Sequence, residues 1–208
     1  MIHKKITVST VRDNLCPNFW VRILAIIALI MLLYSLSNSV LAQSTTLKTG
    51  DVIPQKIWDM ALLKVTPSKE IPFELSTLKG KPIIIDFWAY WCAPCLRKMP
   101  HLDSLYRIKN NKLGLMMIEV SYKGNTAPKV RQTIAELFKA NPTFASNIIL
   151  KNDEFLSYFD VQVVPHYLWV GSDGIIRAMT GFQEVTEDNI DLFLAGKNIV
   201  YNANTSEK

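Results

Sequence analysis

Short apolar stretches alternate with longer amphipathic ones along most of the chain, and this alternation is typical of strands followed by helices. PIIIDFWAY (residues 82–90) and KLGLMMIEVSY (residues 112–122) are rich in apolar and aromatic positions, as strands buried on both faces are. Between them, apolar residues as far as Ile108 recur at helical spacing. They predict a helix over residues 93–110, with a kink at Pro100.

The segments on either side predict a hairpin at each end of this core. KIWDMALL (residues 56–63) and EIPFEL (residues 70–75) are expected to form two strands joined by a turn. HYLWV, GSDG and IIRAMT (residues 166–180) are expected to form a strand, a tight turn and a strand.

The remaining patterns predict helices and one short strand. APKVRQTIAELFKA (residues 127–140) is amphipathic and stops at Asn-Pro, while VTEDNIDLFLAG (residues 185–196) has Thr186 as its candidate cap. A short strand is predicted over residues 147–150 and a short helix over residues 153–160, between the two longer helices.

These elements predict an α/β fold, because long helices between buried strands imply parallel pairing while the hairpins add antiparallel strands. We expect a single domain over residues 57–200, preceded by a polar, flexible lead-in over residues 43–56 and followed by a polar tail over residues 201–208.

The first 42 residues differ in composition from the rest. A basic region precedes the apolar run ILAIIALIMLLY (residues 23–34), and Val40 and Ala42 provide small residues for a signal peptidase. We favour a secretory signal cleaved after Ala42, since the strictly apolar run is short. The alternative is an uncleaved membrane anchor, because no charged residue lies between Ile23 and Gln43. Both interpretations export the body of the protein.

The net charge excludes one class of partner. Residues 1–42 contribute +3 of the formal charge of +5, so the remainder of the chain carries only +2. Such a weak charge, without a basic patch interleaved with aromatic residues, argues against nucleic-acid binding.

Cysteine spacing introduces the candidate chemistry. Cys16 precedes the apolar run, which leaves Cys92 and Cys95 in the exported part. A disulfide across two intervening residues closes a very small loop. It restricts the unfolded chain little and therefore adds little stability to a fold. A structural zinc site needs four ligands, and His101 and His166 are the only exported histidines, so we predict no metal site.

A redox pair explains the WCAPC segment better. Cys92 comes where a strand gives way to a helix, and unpaired N–H groups and the helix dipole stabilise a thiolate there. Pro94 suits the first helical turn because it needs no N–H partner at that point. We therefore predict Cys92 as the exposed nucleophile and Cys95 as the buried resolving thiol.

Asp86 interrupts a strand that is otherwise apolar. A buried carboxylate without a cation has a raised pKa, which suits a general base that accepts the proton of Cys95. The alternative is an aspartate at the end of the strand that faces water.

DFWAYWCAPC resembles the active-site segment of the thioredoxin superfamily, and FDVQVVPHYLWVGSDGIIRAMTG resembles its later Val-Pro, hairpin and glycine run. The export signal, the N-terminal hairpin and LKGKPIIIDFWA narrow the resemblance to the TlpA/ResA-like envelope reductases, whose domain is of the redoxin type. The resemblance covers about residues 50–195 and implies a thioredoxin-like fold, a central mixed sheet flanked by helices, with an N-terminal hairpin extension.

The same resemblance implies several site residues. Pro165 is the cis-proline that faces the dithiol, and Val164 offers its backbone to an extended substrate strand. Trp91 and Pro94 are expected to contact substrate, and Trp88 and Trp91 to pack around the dithiol, although core filling explains the tryptophans equally well.

The other polar residues near the motif are expected to have modest roles. Arg97 and Lys98 are predicted to form a solvated helix face, where many relatives have an acidic residue. His101 is assigned to the helix surface. His166 is either a packed strand residue or a group that titrates near the dithiol.

The resulting hypothesis is an exported enzyme that reduces protein disulfides. Its electrons pass through the redox-active Cys92–Cys95 disulfide, so no separate cofactor is expected. Its partners would be protein thiols and disulfides and a membrane electron donor. Two rivals stay open: a peroxiredoxin-like peroxidase, and a non-enzymatic module that binds metal or peptide on the same fold.

Overall fold

The structure is a computed structural model that describes residues 17–39, 46–109, 112–121 and 127–201. The chain divides into two compact units, Met1–Ser44 and Thr45–Lys208.

The first unit contains one described helix, α1 (Pro17–Ser39). In the part of the chain that the structure describes, no helix has both the length and the apolarity that crossing a membrane requires. Cys16 and the predicted cleavage position after Ala42 lie outside the described residues.

The second unit is built on a seven-stranded sheet with the order β2-β1-β5-β4-β3-β6-β7. Its described elements, in chain order, are α2 (Gln55–Trp58), β1 (Ala61–Val65), β2 (Glu70–Glu74), a 3-10 helix (Leu75–Leu78), β3 (Ile83–Trp88), α3 (Ala93–Ile108), β4 (Gly114–Glu119), α4 (Ala127–Ala140), β5 (Asn147–Ile149), α5 (Asp153–Leu156), β6 (His166–Val170), β7 (Ile176–Thr180) and α6 (Glu187–Leu194).

Strand pairing confirms the predicted mixed sheet. β3 pairs in parallel with β4, and β4 with β5, while the other pairs, including the two hairpins, are antiparallel. The parallel strands are linked by α3 and α4, as crossover connections require. Helix α6 is capped by Thr186, whose side chain accepts from the N–H of Asn189, as predicted.

Each face of the sheet is covered by a separate hydrophobic cluster. The first face, called here the dithiol face, packs against α3, α4 and α6, and its cluster contains Cys92 and Cys95. The opposite face packs against α2, the 3-10 helix and α5. Because side chains alternate along a strand, Ile84 and Trp88 of β3 lie on the dithiol face, while Ile85 and Phe87 lie on the opposite one.

Two local expectations are wrong. The segment predicted as a strand over residues 56–63 begins as helix α2, in which Ile57 and Trp58 are both buried and the Trp58 indole N–H donates to the carbonyl of Ile53 at 3.1 Å. A helical turn, and not a strand, lets two consecutive apolar residues reach the same core. Helix α3 ends at Ile108, before residue 110, and Ile108 is exposed and does not continue the apolar face.

The segment over residues 43–56, predicted to be flexible, is also in contact with the domain in its described part. The N–H of Leu47 donates to the carbonyl of Tyr158 at 2.8 Å, and that of Ile53 to the carbonyl of Gly174 at 2.9 Å. Ile53 is buried in the cluster on the opposite face of the sheet. The described part of this segment therefore packs as part of the domain.

Candidate functional site

The dithiol lies at the junction between a central strand and the helix that follows it. Strand β3 ends at Trp88, and the N–H of Cys92 donates to the carbonyl of Ala89 at 2.9 Å, which closes a tight turn. Helix α3 then begins at Ala93, with Pro94 in its first turn. This is the strand-to-helix placement that the sequence predicted, with Pro94 where a missing N–H is tolerated.

Cys92 and Cys95 form a disulfide in this structure. Cys92 is the N-cap residue of α3, and its Sγ accepts a hydrogen bond from the N–H of Cys95 at 3.2 Å. An N–H group aimed at sulfur, together with the helix dipole, stabilises negative charge on Cys92 once the bond is reduced. The same groups do not favour charge on Cys95, which lies inside the helix.

The two sulfurs are less different in exposure than predicted. Cys92 is 3% exposed and Cys95 is 0% exposed, so the order is as expected, but the description of Cys92 as exposed is wrong for this disulfide form. The neighbours of Cys92 are open to solvent, namely Trp91 at 53% exposure together with Ala93 and Pro94. Cys92 is therefore covered in the disulfide form, while the residues on either side of it are accessible to a partner.

Asp86 lies on β3, buried beneath the dithiol face. It is 0% exposed, and alternation along the strand points it to the same side as Ile84 and Trp88. Within the described residues neither carboxylate oxygen has a hydrogen-bond partner. Burial raises the pKa of Asp86 well above its usual value. The alternative of an aspartate that faces water is wrong.

Two more buried polar groups share this face. In the described part of the chain, Nε1 of Trp88 and Oη of Tyr167 lack hydrogen-bond partners. Tyr167 pairs with Asp86 in the register of β3 and β6. Its pKa is raised first by burial and then by the charge of Asp86. The sequence analysis did not identify Tyr167 as a site residue. The available signal was its position in the strand that follows Val164 and Pro165.

The bond between Val164 and Pro165 is cis, as the resemblance implied, while the contact of Pro165 with the dithiol stays a prediction. Strand β6 begins at His166, which pairs with Phe87 on β3. One residue further in this register, Pro165 comes beside Trp88, at the end of β3 that leads to the cysteines. Val164 and Pro165 are both half-buried.

The two tryptophans behave differently. Trp88 is fully buried in the cluster that contains both cysteines, a position that fits packing around the dithiol and core filling equally. Trp91 is more than half exposed and is not part of that core. Its exposure leaves a large apolar surface next to Cys92, and this surface is available to a partner.

Glu119 is a buried acid that sequence reasoning missed. It ends β4, is 2% exposed and pairs with Trp88 in the parallel register. Its Oε1 accepts from the N–H of Ser121 at 2.6 Å. Burial raises the pKa of Glu119 to about 6, against the opposing effects of Ser121 and Lys151. The available signal was a single acid inside the apolar segment GLMMIEV.

The basic residues near the motif are partly as expected. Arg97 and His101 are exposed on α3, in line with the predicted helix surface. Lys98 is half-buried and burial lowers its pKa, so the prediction of a solvated position is wrong for this residue. His166 is half-buried beside the Phe87 ring, and burial lowers its pKa although Asp160 opposes the shift.

A search of the described residues finds no group of three or more His, Cys, Asp or Glu side chains that could hold a metal ion. The geometry around Cys92 and Cys95 is instead that of a redox-active disulfide, with a nucleophile at a helix N-terminus and a buried acid behind it.

Comparison with known proteins gives consistent matches. A family model described as Redoxin matches residues 48–192. The thiol-disulfide oxidoreductase ResA of Bacillus subtilis (strain 168) is 24% identical over 169 residues, which cover 79% of this chain and 86% of that protein. ResA of Geobacillus thermodenitrificans (strain NG80-2) is 26% identical over 163 residues, which cover 78% of this chain and 88% of that protein.

Solved structures show the same fold. The thioredoxin domain of a thiol-disulfide oxidoreductase from Bacteroides vulgatus has a TM-score of 0.53 and 20% identity, covering 72% of this chain and 99% of that chain. A secreted disulfide oxidoreductase of Mycobacterium tuberculosis, homologous to DsbE of E. coli, has a TM-score of 0.51 and 16% identity, covering 69% of this chain and 99% of that chain.

Proposed function

The chain belongs to the Redoxin family, as a TlpA/ResA-like member of the thioredoxin superfamily, and we propose that it is an exported reductase of protein disulfides. Thiol-disulfide oxidoreductase chemistry follows from the named relatives and from the Cys92–Cys95 disulfide. The observation that carries the proposal is the position of this disulfide at the N-terminus of α3, on the sheet face where Asp86 lies buried with no hydrogen-bond partner among the described residues.

The reaction begins with the reduced dithiol. The Cys92 thiolate attacks one sulfur of a substrate disulfide, a Cys92–substrate bond forms, and one substrate thiolate leaves. The N–H of Cys95 and the N-terminus of α3 stabilise the attacking thiolate, since both place positive potential at Sγ of Cys92. Val164 offers its backbone to the substrate segment beside the cis-proline, and the exposed Trp91 and Pro94 offer it contact area.

Release of the product requires the second cysteine. Cys95 gives its proton to Asp86, and its thiolate attacks Sγ of Cys92. The Cys92–Cys95 disulfide forms and the second substrate thiolate leaves, so two electrons have passed from the dithiol to the substrate. Because burial raises the pKa of Asp86, its carboxylate is basic enough to accept a proton near neutral pH.

The local charges support electron flow from the dithiol to the substrate. Ala93 and Pro94 separate the cysteines without a side-chain donor, and Asp86 adds negative potential behind them. Both features disfavour the Cys92 thiolate, which makes the couple reducing, with a potential of about −270 to −200 mV. Equilibration with glutathione buffers measures this potential. A midpoint more positive than about −150 mV would make the protein an oxidant.

A reducing dithiol in an oxidising compartment needs a source of electrons, so we infer a membrane electron donor as partner. Export is supported by the signal-like segment over residues 1–42, and membrane anchoring through that segment is the alternative. The exchange needs no cofactor beyond the disulfide itself. Mass spectrometry of the protein isolated from the cell envelope distinguishes the two cases, because cleavage after Ala42 lowers its molecular mass and anchoring leaves residues 1–42 in place.

The activity is tested by insulin reduction with the full chain and a dithiol donor. We expect turnover by the wild type, complete loss in Cys92→Ser, and unchanged turnover in the control Cys16→Ser, which removes the cysteine outside the motif. Loss of peroxide from the same samples, with no insulin reduction, would instead support the peroxidase. Activity in neither assay would favour a binding module.

A further inference from the structure

Glu119 is a buried titratable group to which the proposed exchange reaction assigns no role. Leu115 and Met117, the odd-numbered residues before it on β4, belong to the cluster that contains both cysteines, while Met116 and Ile118 belong to the other cluster. Alternation along the strand therefore directs Glu119 to the dithiol face. Its 2% exposure shows that this carboxyl group is covered there.

The strand register brings Glu119 close to Asp86. Asp86 pairs with Met117 and Trp88 pairs with Glu119, so the two acids are diagonal neighbours on the same face of adjacent parallel strands. A strand spacing of about 4.8 Å and a rise of about 3.3 Å per residue separate their Cα atoms by roughly 8 Å. Trp88 pairs with Glu119 and precedes the turn that carries Cys92, and its carbonyl accepts the N–H of Val120 at 2.8 Å.

We propose that Glu119 is a second acidic residue of the dithiol site, a positioning residue whose charge acts on Asp86 and on the Cys92–Cys95 pair. The effect of Glu119 on catalysis rests on the proposed function. The juxtaposition of the two buried carboxyl groups is independent of any substrate.

The charges around Glu119 set the direction of this effect. The neighbouring elements carry Asp86 on β3, Tyr167 on β6, Lys151 after β5, and the charged or titratable residues of α3 and α4, which include Arg97, Lys98, His101, Asp103, Arg107, Lys129, Arg131, Glu136 and Lys139. Lys151 and the N–H of Ser121 favour the ionised form of Glu119, but burial outweighs them and raises its pKa to about 6. Glu119 therefore gains its negative charge within the pH range in which the dithiol works.

An ionised Glu119 disfavours a second negative charge nearby. As the pH rises through about 6, its carboxylate raises the pKa of Asp86 and of the Cys92 thiol. Asp86 then becomes a stronger proton acceptor for Cys95, and the reduced dithiol a weaker acid. The pair of carboxyl groups makes the enzyme more reducing at neutral pH than Asp86 alone would.

The test is a carbon-13 NMR titration of the reduced full chain, labelled in the carboxyl carbons of Asp and Glu. Glu119→Gln, which keeps an oxygen to accept from Ser121, is expected to lower the pKa of Asp86, because it removes a like charge from the adjacent strand. Since the coupling is mutual, Asp86→Asn should lower the pKa of Glu119 by the same amount. Glu154→Gln removes an exposed acid from α5 on the opposite face and should change neither value.

Alkylation of Cys92 by iodoacetamide over a range of pH gives the second readout. Its pH midpoint should fall in Glu119→Gln and stay unchanged in Glu154→Gln. An Asp86 titration that is the same in Glu119→Gln and wild type would overturn the proposal. If Glu119→Gln does not fold, an unchanged Glu119 titration in Asp86→Asn overturns it equally. Failure of insulin reduction would refute the proposed function and leave these titrations intact.

Discussion

Asp86 and Asp103 are both buried, but their surroundings are opposite. Asp103, on α3, accepts hydrogen bonds from the N–H groups of Ala145 and Ser146 and from the Ser146 hydroxyl, each at 2.8 Å, and pairs with Arg107 at 3.0 Å. In the described part of the chain, Asp86 accepts from no donor. Two residues of the same type thus differ in every electrostatic contact.

The difference separates a structural role from a chemical one. The bonds of Asp103 join α3 to the segment before β5, and a charged acceptor with such partners stabilises the fold. An unpaired buried carboxylate destabilises the fold, and a protein keeps it where a raised pKa is useful. Asp86 lies on the face of the cysteines, and Glu119, whose Oε1 accepts from the N–H of Ser121, is intermediate between Asp86 and Asp103.

The largest change in stability is expected for Asp103→Asn. Oδ1 of Asp103 accepts from residues 145 and 146, and Oδ2 pairs with Arg107. The amide keeps one acceptor oxygen but loses the charge that strengthens these bonds, and its NH2 group faces the Arg107 guanidinium without accepting from it. We expect the free energy of unfolding to fall by about 2–4 kcal/mol. Urea denaturation of the oxidised protein measures it. Glu154→Gln, which breaks an exposed pair with Lys56, should cost less than about 1 kcal/mol. Equal losses of unfolding free energy in the Asp103 variant and the exposed control would contradict a structural role for the bonds of Asp103.

The same substitution at Asp86 is expected to have the opposite sign. Folding raises the pKa of Asp86, so the folded state loses stability as the pH rises from the unfolded value of about 3.9 through the folded value. Asp86→Asn removes this loss and should raise the free energy of unfolding by about 1–3 kcal/mol at pH 8. The gain should disappear at pH 3, where the carboxyl group is neutral in both states. A loss of stability at pH 8 would contradict the account.

A smaller gain of the same sign is expected for Glu119→Gln. Its pKa rises from 4.5 to about 6 on folding, which corresponds to about 2 kcal/mol between the two protonation states. The oxidised variant should be about 1–2 kcal/mol more stable than wild type above pH 7 and equal to it below pH 4. Urea denaturation at both pH values, with Glu154→Gln as control, measures the gain. A pH-independent difference would show that packing, and not charge, separates the variants.

Local patterns were sufficient where an element and its burial depend on neighbouring residues. The periodicity of residues 127–140 predicted helix α4 with the bounds that the structure has, and the run around Asp86 predicted a strand buried on both faces. The placement of Cys92 at a helix start followed from the strand, the proline and the helical spacing. The cis bond before Pro165 came from resemblance, because no pattern in the residues themselves specifies it.

Long-range packing accounts for what the sequence did not predict. Ile57 and Trp58 fit a strand equally well until the core that covers both is known, and Ile108 keeps helical spacing although α3 ends there. The burial of Glu119 depends on the pairing of β4 with β3 and on the helices above the sheet. Likewise, β5 lies between β1 and β4 through pairing between distant segments that no local pattern contains.

The central claim is that Asp86 serves Cys95, and the two steps of disulfide exchange test it most directly. Stopped-flow mixing of the reduced protein with a disulfide substrate separates formation of the mixed disulfide on Cys92 from its release by Cys95. For Asp86→Asn we expect formation within about twofold of wild type and release slowed by about 10²–10³-fold. Asp103→Asn should leave both rates of the folded protein unchanged. Wild-type release in Asp86→Asn, or equal slowing in Asp103→Asn, would contradict the account.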